Sequence, residues 1–438
     1  MKGKKAKNMV PTAELAGQTG EKRARPPATL GQLLWFSIVF GTRAFGGMAM
    51  VAYLREELVD RRGWLSAAEF NEHLALCQVI PGATVVELLA LSGYQLAGAA
   101  GAVFATAGVL LSPFTLMVIF SWLYFTYGRL PVMVSLFQGL GAVVLAIMVN
   151  GIYQLWRNLP QGLYARLVAL TVLAANLYRP WPLSILVASL ALVGALSWKL
   201  TPKTAPAALK APPVSSLQLE KTPESSSAQR PAKLAREEVG KRSLVWSSVV
   251  LWTLLLLLSL GPIFSPRLRA LFFAFLPIGT IAFGGGMTMY GLLQQVAVEA
   301  RQWVSLLQFR DGVALGQLTP GPIMITASFI GYHVQGFLGA LYATVGIFGP
   351  APLVAIGAKL FQDRFLRHPV FRRITLTIVA GFLGFLGLVV WRLAPVSLGS
   401  WPAIALALTS FWLLRFRHWD VLPVVGVGAV LSLFLFRF

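Results

Sequence analysis

Cysteine is all but absent: Cys77 stands alone among 438 residues, so no disulfide can close within the chain. The four histidines, His73, His333, His368 and His418, are too scattered to present metal-ligand spacing. No Ser/His/Asp grouping, P-loop or GxGxxG fingerprint occurs. No metal, cofactor or enzymatic centre is therefore expected, nor ATP-driven work by this chain alone. Charge is scarce too, with Asp, Glu, Lys and Arg making up 12% of residues, against roughly 25% in soluble domains. Strand-like alternation is missing.

What remains is apolar: 56% of residues are hydrophobic and the mean hydropathy is +0.70. Runs near 30–53, 98–127, 131–156, 181–198, 244–264, 378–393 and 421–436 are mostly long enough, at about 1.5 Å per helical residue, to cross a hydrocarbon layer of about 30 Å. Only helices satisfy the backbone there, so the expected fold class is an all-α integral membrane protein. The first run is too long for a secretory signal and lacks a small-residue cleavage site. The formal charge of +21 gathers in polar segments, with seven Lys/Arg in residues 1–28 and nine in 199–242. Neither interleaves aromatics for base stacking, so nucleic acid is not an expected partner. They read as cytoplasmic segments obeying the positive-inside rule beside a lipid bilayer.

The chain also repeats itself. Phe45-Gly46-Gly47 returns as Phe283-Gly284-Gly285, 238 residues on. One inserted residue later, Trp64, Ser66, Phe70, Ala75, Leu76, Gln78, Pro81 and Gly82 match Trp303, Ser305, Phe309, Ala314, Leu315, Gln317, Pro320 and Gly321. Gly93-Tyr94, Gly98, Gly101, Ala102, Ala105, Thr106 and Gly108 then match Gly331-Tyr332, Gly336, Gly339, Ala340, Ala343, Thr344 and Gly346. Paired membrane repeats, each interrupted by Gly and Pro, are the usual sign of a secondary transporter.

These matches divide the chain into a basic cytoplasmic tail (1–29), a first repeat (30–198), a basic linker (199–243) and a second repeat (244–438). The linker is expected to be disordered, with Thr201-Pro202, Ala211-Pro212-Pro213 and Ser225-Ser226-Ser227. Spans are expected at about 30–53, 73–96, 98–127, 131–157, 163–178 and 181–198, then 244–264, 268–292, 307–334, 336–361, 370–393, 400–415 and 419–438. The span 244–264 has no partner in the first half. With the N-terminus inside, this thirteenth span inverts the second repeat relative to the first. Arg364, Arg367, Arg372, Arg373, Arg415 and Arg417 then face the cytoplasm, while their outward-facing counterparts hold only Arg129 and Arg179. Arg267 and Arg269 are exceptions, as are Arg61 and Arg62, although acids surround the latter pair. Segments 54–72 and 293–306 read as amphipathic pieces at the interface, anchored by Trp64 and Trp303.

Glycine and Pro-Gly breaks inside apolar runs leave backbone N–H and C=O groups that must line a cavity or bury against protein. A half-helix starting there aims its N-terminal dipole at the cavity, which suits an anion. Phe45, Gly46, Gly47, Pro81, Gly82, Phe283, Gly284, Gly285, Gly286, Pro320, Gly321 and Pro322 are therefore candidate substrate-binding positions. Gly98, Gly101, Gly336 and Gly339 instead fit close helix packing. Arg43 offers a fixed positive charge, or a structural pair with Glu87 or Glu72. Gln78, Gln317, Thr84 and Thr319 are candidate donors, with Thr326 and Ser328 nearby. Glu87 is the candidate carrier of a coupling proton, since burial favours the neutral form of a carboxyl. Glu72 and Asp311, at matching positions, are gates or solvated helix starts. Cys77 reads as a small buried apolar residue.

The pattern resembles the chromate ion transporter family in its long two-domain form. The second repeat carries the likeness best, in Phe283-Gly284-Gly285-Gly286, Trp303, Leu315-Gly316-Gln317-Leu318-Thr319-Pro320-Gly321-Pro322, Gly331-Tyr332 and Gly336-Phe337-Leu338-Gly339-Ala340. The first adds Arg61-Arg62-Gly63-Trp64-Leu65 and Ala75-Leu76-Cys77-Gln78. The resemblance implies an inner-membrane exporter of chromate, driven by the proton-motive force, with sulfate as a close analogue and oppositely oriented halves. This chain departs from it at Met48, where the family usually has Pro, and lacks the His that shortly follows. It departs again at Ala83 after Pro81-Gly82, and at Glu87 in place of a polar run ending in Gln. The expected partners are thus an oxyanion, chromate or sulfate, and the bilayer; homo-oligomer formation is compatible with the sequence. The altered first repeat leaves two other readings, a carrier of another small anion or weak acid and a non-transporting membrane scaffold.

Overall fold

Backbone in lipid must bond to itself, and every regular element among the described residues is helical. The computed structural model describes residues 28–43, 47–159, 163–179, 181, 183–200, 265–282, 286–360 and 369–436. The expected tail, linker and unpartnered span 244–264 lie outside them, as do Phe45, Gly46, Phe283, Gly284, Gly285, Arg364 and Arg367.

The first repeat comprises α1 (Leu30–Arg43), α2 (Gly47–Arg55), α3 (Ala67–Cys77), α4 (Thr84–Tyr127), α5 (Pro131–Asn158), α6 (Leu163–Tyr178) and α7 (Leu183–Leu200). The second comprises α8 (Pro266–Thr280), α9 (Tyr290–Gln294), α10 (Leu306–Leu318), α11 (Thr326–Phe348), α12 (Pro350–Leu360), α13 (Pro369–Ser397), α14 (Trp401–Phe416) and α15 (Val421–Leu435). Sequence equivalence becomes structural equivalence in detail. Each repeat has a π-helical turn, Glu56–Arg61 and Gln295–Ala300. Each then starts a helix with a capping box, Ser66 with Glu69 and Ser305 with Gln308, satisfying backbone donors at the helix start.

Four stretches, Thr84–Tyr127, Pro131–Arg157, Ile323–Lys359 and Arg373–Ser397, are long and apolar enough to cross a membrane; α6, α14 and α15 are shorter apolar helices. The protein is an all-α membrane protein, although these elements do not resolve into a count of thirteen spans. Neither α4 nor α11 is a straight rod. Gly98 (φ 64°) and Gly336 (φ 57°) adopt the left-handed region open to glycine, and the helix reverses there. The turns fall where the sequence separates span 73–96 from 98–127 and span 307–334 from 336–361. Eight residues of straight helix would hold Gly93 about 12 Å from Gly101. Instead a Cβ on either would collide with the other's carbonyl, and Gly331 and Gly339 face each other likewise. Gly101 and Gly339 thus pack as expected, but Gly98 and Gly336 make the turn, with nothing within 4 Å of a Cβ on either.

Small residues also bring α1 against α4 and α8 against α11. A Cβ on Gly41 would lie 2.6 Å from the Val109 carbonyl oxygen, and one on Gly108 2.9 Å from that of Leu34. Gly279 and Gly346 repeat this arrangement against Ile347 and Phe272. Across the repeats the packing is reciprocal: α6 and α7 lie on α13, while α14 and α15 lie on α5, and α4 also packs against α11 and α12. Trp64 is not a headgroup anchor. It is buried edge-on against Phe36 at 5.7 Å, with the Arg62 guanidinium 4.9 Å from its ring, because the capped turn folds it onto α1. Trp303 is half-buried against Phe275.

These contacts are testable. Gly93→Ala or Gly331→Ala should lower stability by about 1–3 kcal/mol through overpacking, and Gly336→Ala by about 1–2 kcal/mol through its left-handed backbone. Gly357→Ala, with open space around it, should be neutral. Thermal unfolding in detergent reads all four.

Candidate functional site

Both expected Pro-Gly breaks are present. In the first repeat α3 ends at Cys77 and α4 begins at Thr84, with Pro81 and Gly82 between them. In the second, α10 ends at Leu318, Thr319–Pro322 is non-helical, and a short 3-10 turn (Ile323–Ile325) leads into α11. Proline supplies no N–H, which stops the preceding ladder. The N-terminus of α4 has no side-chain cap, so its first N–H groups face the break without a side-chain acceptor.

The breaks reach across the repeats. Gly82 donates its N–H to the carbonyl of Ala282 at 2.7 Å, one residue before Phe283. Gly321 lies against Pro113 of α4, where a Cβ would sit 3.0 Å from its ring. Gly286, opening the 3-10 turn Gly286–Met289, lies against Ile323, and Met287 beside it abuts Gly151 of α5. Glu87 is fully buried in the first turn of α4, with neither carboxylate oxygen hydrogen-bonded among the described residues. Its carboxyl occupies the space that a Cβ on Gly82 would need.

The other candidates are dispersed. Arg43 is exposed in the last turn of α1, so the expected hydrogen-bonded pair with Glu87 does not form. Gln78 is exposed, whereas its counterpart Gln317 is buried and donates to the Tyr290 hydroxyl at 3.1 Å. Thr84 is half-buried at the start of α4 and Gly47 opens α2. Thr319 spends its hydroxyl proton on the Gly316 carbonyl at 2.9 Å, and Ser328 is paired with Thr344 at 2.6 Å. Cys77 is buried as expected.

Glu72 and Asp311 match in sequence but not in surroundings. Glu72 is exposed. Asp311 is buried: it accepts from Arg310 Nε and Nη2 at 2.9 and 2.8 Å on one oxygen and from the Tyr124 hydroxyl at 2.9 Å on the other. Arg310 also donates to the Val396 carbonyl at 2.8 Å and runs over Gly141, where a Cβ would sit 2.7 Å from Nε. This cluster joins α10 to α4, α5 and α13, and Asp311 is no solvated helix start. Sequence reasoning missed Arg310 and Tyr124, although an Arg-Asp pair inside an apolar run was a signal in itself. At the reciprocal interface, Lys359 of α12 meets Nε2 of buried His73 of α3 at 2.7 Å. No group of three or more His, Cys, Asp and Glu able to hold a metal ion occurs among the described residues.

Comparison with known proteins follows the same two-repeat division. The chromate transporter family model matches residues 31–196 and 269–433. A chromate transport protein of Pseudomonas aeruginosa is 30% identical over 88% of this chain and 86% of its own length. One from Cupriavidus metallidurans is 28% identical over 94% of each chain, and an uncharacterized transporter of Methanocaldococcus jannaschii is 27% identical over 94% of this chain and 95% of its own. No solved structure matches significantly.

The buried cluster makes a stability prediction. Asp311→Asn strands the Arg310 charge and should cost about 3–5 kcal/mol, with part of the loss recovered in an Arg310→Leu/Asp311→Leu double variant. Tyr124→Phe should cost only about 1 kcal/mol. Unfolding in detergent separates these outcomes.

Proposed function

The chain belongs to the chromate transporter family, and from that premise we propose that it is a secondary transporter exporting chromate, or a sulfate-like tetrahedral oxyanion, by alternating access between inverted repeats. One observation carries the reading. The Pro-Gly break of the first repeat bonds to the backbone just ahead of the Phe-Gly-Gly of the second, through Gly82 and Ala282. Two unwound segments from different repeats therefore share one place, the arrangement that gives transporters their substrate site.

Stripping water from a dianion costs tens of kcal/mol unless compensated. The uncapped N-terminus of α4, the glycines at 46–47 and 284–286, and the Pro320-Gly321-Pro322 backbone are the proposed compensating donors. Arg43, open to solvent at the end of α1, is the proposed cation that receives the anion. Gln78 and Thr84 add side-chain donors, while Gln317 and Thr319 shape the second break through the bonds they already make.

Glu87 is the proposed proton carrier. An ionised carboxylate beside Gly82 competes with an oxyanion for the same helix start, and a protonated one does not. The inside-negative membrane potential, worth about 2.3 kcal/mol per charge per 100 mV, drives a dianion outward. The Arg310–Asp311–Tyr124 cluster and the His73–Lys359 contact, at reciprocal interfaces, serve as the closures of opposite ends, with Glu72 at the rim of the second. On this reading the N-terminus is cytoplasmic and the protein lies in the inner membrane, with repeats at 30–198 and 244–438.

Glu87 also favours a second reading, in which the first-repeat site selects another small anion or a weak acid. Competition by chromate, sulfate, molybdate and carboxylates for uptake into vesicles separates the two. A scaffold would move none of them.

Radiolabelled oxyanion flux in proteoliposomes, with and without a pH gradient, tests the proposal. Glu87→Gln should keep binding and lose the response to the gradient; a full response in that variant removes Glu87 from the coupling. Arg43→Ala should weaken oxyanion binding by about tenfold or more, a loss of about 1.4 kcal/mol, and unchanged affinity removes Arg43 from the site.

A further inference from the structure

Away from the breaks, the C-terminal ends of α5 and α14 lie side by side, one from each repeat. Arg415 donates from Nη2 to the Tyr153 hydroxyl at 2.9 Å, with its guanidinium 4.5 Å from that ring's centre. Arg157, in the last turn of α5, stands four residues after Tyr153, on the same face of the helix. Arg417 stands 5.9 Å from the Trp412 ring. Two guanidinium groups thus converge on Tyr153, with a third two residues on at the C-cap of α14, and none of the three forms a salt bridge among the described residues. Asp420, exposed at the start of α15, is the acid nearest in sequence and leaves the corner net positive.

The rings beside these charges are bare. Trp412 is 49% exposed and Phe416 62% exposed, at the end of an apolar helix. A soluble anion would gain nothing from them, whereas a molecule with a phosphate and an acyl chain would use both. Helix C-termini hold the arginines in place through the dipole without consuming their outward donors. Guanidinium forks match phosphate oxygens bidentately, and basic pockets between transmembrane helices suit lipid head groups.

We propose that Arg157, Arg415 and Arg417 form a binding site for the phosphate of an anionic phospholipid, with its acyl chain lying on Trp412 and Phe416. The site joins α5 of one repeat to α14 of the other, so an occupying lipid clamps the two repeats at one membrane face. It stands independently of the transported solute.

Native mass spectrometry of the full chain, in micelles doped with phosphatidylglycerol or phosphatidylcholine, tests this. The parent should retain phosphatidylglycerol selectively. Changing Arg157, Arg415 and Arg417 to Gln should weaken that retention by about fivefold per arginine, the equivalent of about 1 kcal/mol each. Arg129→Gln, removing the same charge elsewhere, should leave it unchanged. Should the triple variant not fold, Arg417→Gln alone, at an exposed position, should still show its single step. The proposal is overturned by equal retention of the two lipids, by unchanged retention in the Gln variants, or by displacement with millimolar inorganic phosphate, which would mark a soluble-anion site. No oxyanion flux enters this readout, so it stands or fails apart from the transport proposal.

Discussion

A peptide group inside a bilayer has no water to turn to. Any unwinding of a helix there needs a protein partner, and this protein finds one in its own second copy. The Gly82 N–H, stranded by the break after α3, is met by Ala282. The second break is covered by Pro113 of α4. Neither repeat could bury its interruption alone, which accounts for the reciprocal packing of α6 and α7 on α13 and of α14 and α15 on α5. Interdigitation follows from interrupting apolar helices with backbone that needs partners.

The hairpins within α4 and α11 rest on the same economy of side chains. Lipid tails are as apolar as leucine, so helices gain little by hiding apolar surface from each other and associate through close contact and hydrogen bonds. Glycines 93, 101, 331 and 339 provide the contact. The bond appears only once, between Ser328 and Thr344. In the first repeat Ala90 stands where Ser328 would be, and the Thr106 hydroxyl is left without a partner among the described residues. The second hairpin is thus better fastened than the first. The difference lies in the repeat whose motifs also depart at Met48, Ala83 and Glu87.

Much of the architecture was legible because Gly, Pro and Trp identities in register report backbone needs directly. The repeats, the breaks at Pro81 and Pro320 and the division of α4 near residue 97 could all be read that way. Environment was less legible. Gln78 and Gln317 match in sequence, yet one is exposed and the other buried on Tyr290, a hydroxyl partner for which the first repeat offers only Val51 at the equivalent place in α2. Gly98 and Gly101 could not be told apart, since a turn and a close contact both require a missing Cβ. Trp64 looked interfacial from its charged neighbours, but those charges pair among themselves: Arg61 bridges Glu56 and Glu57, while Arg62 reaches Glu57 and covers the indole. Arg310 escaped notice because its counterpart, Asn71, carries no charge.

The two reciprocal interfaces are unequal, and that inequality bears on mechanism. At one, Arg310, Asp311 and Tyr124 are bonded to each other and to Val396. At the other, Lys359 faces His73, whose Nδ1 has no hydrogen-bond partner among the described residues. A buried charge pair is tolerated only where its remaining donors and acceptors are met, so the fully bonded first interface is the costlier of the two to open. Two related halves in identical conformations would close both ends alike. Under the transport reading, one tight and one looser interface describe a molecule resting on one side of its cycle. Reversal then requires the Asp311 cluster to come apart while the His73 side gains bonds. On that reading the energy for the exchange comes from what binds at the breaks, where the proposed oxyanion and Glu87 proton would act on the same start of α4. Cargo and closure are then joined through one element, because the two arms of the α4 hairpin carry Glu87 and Tyr124 respectively.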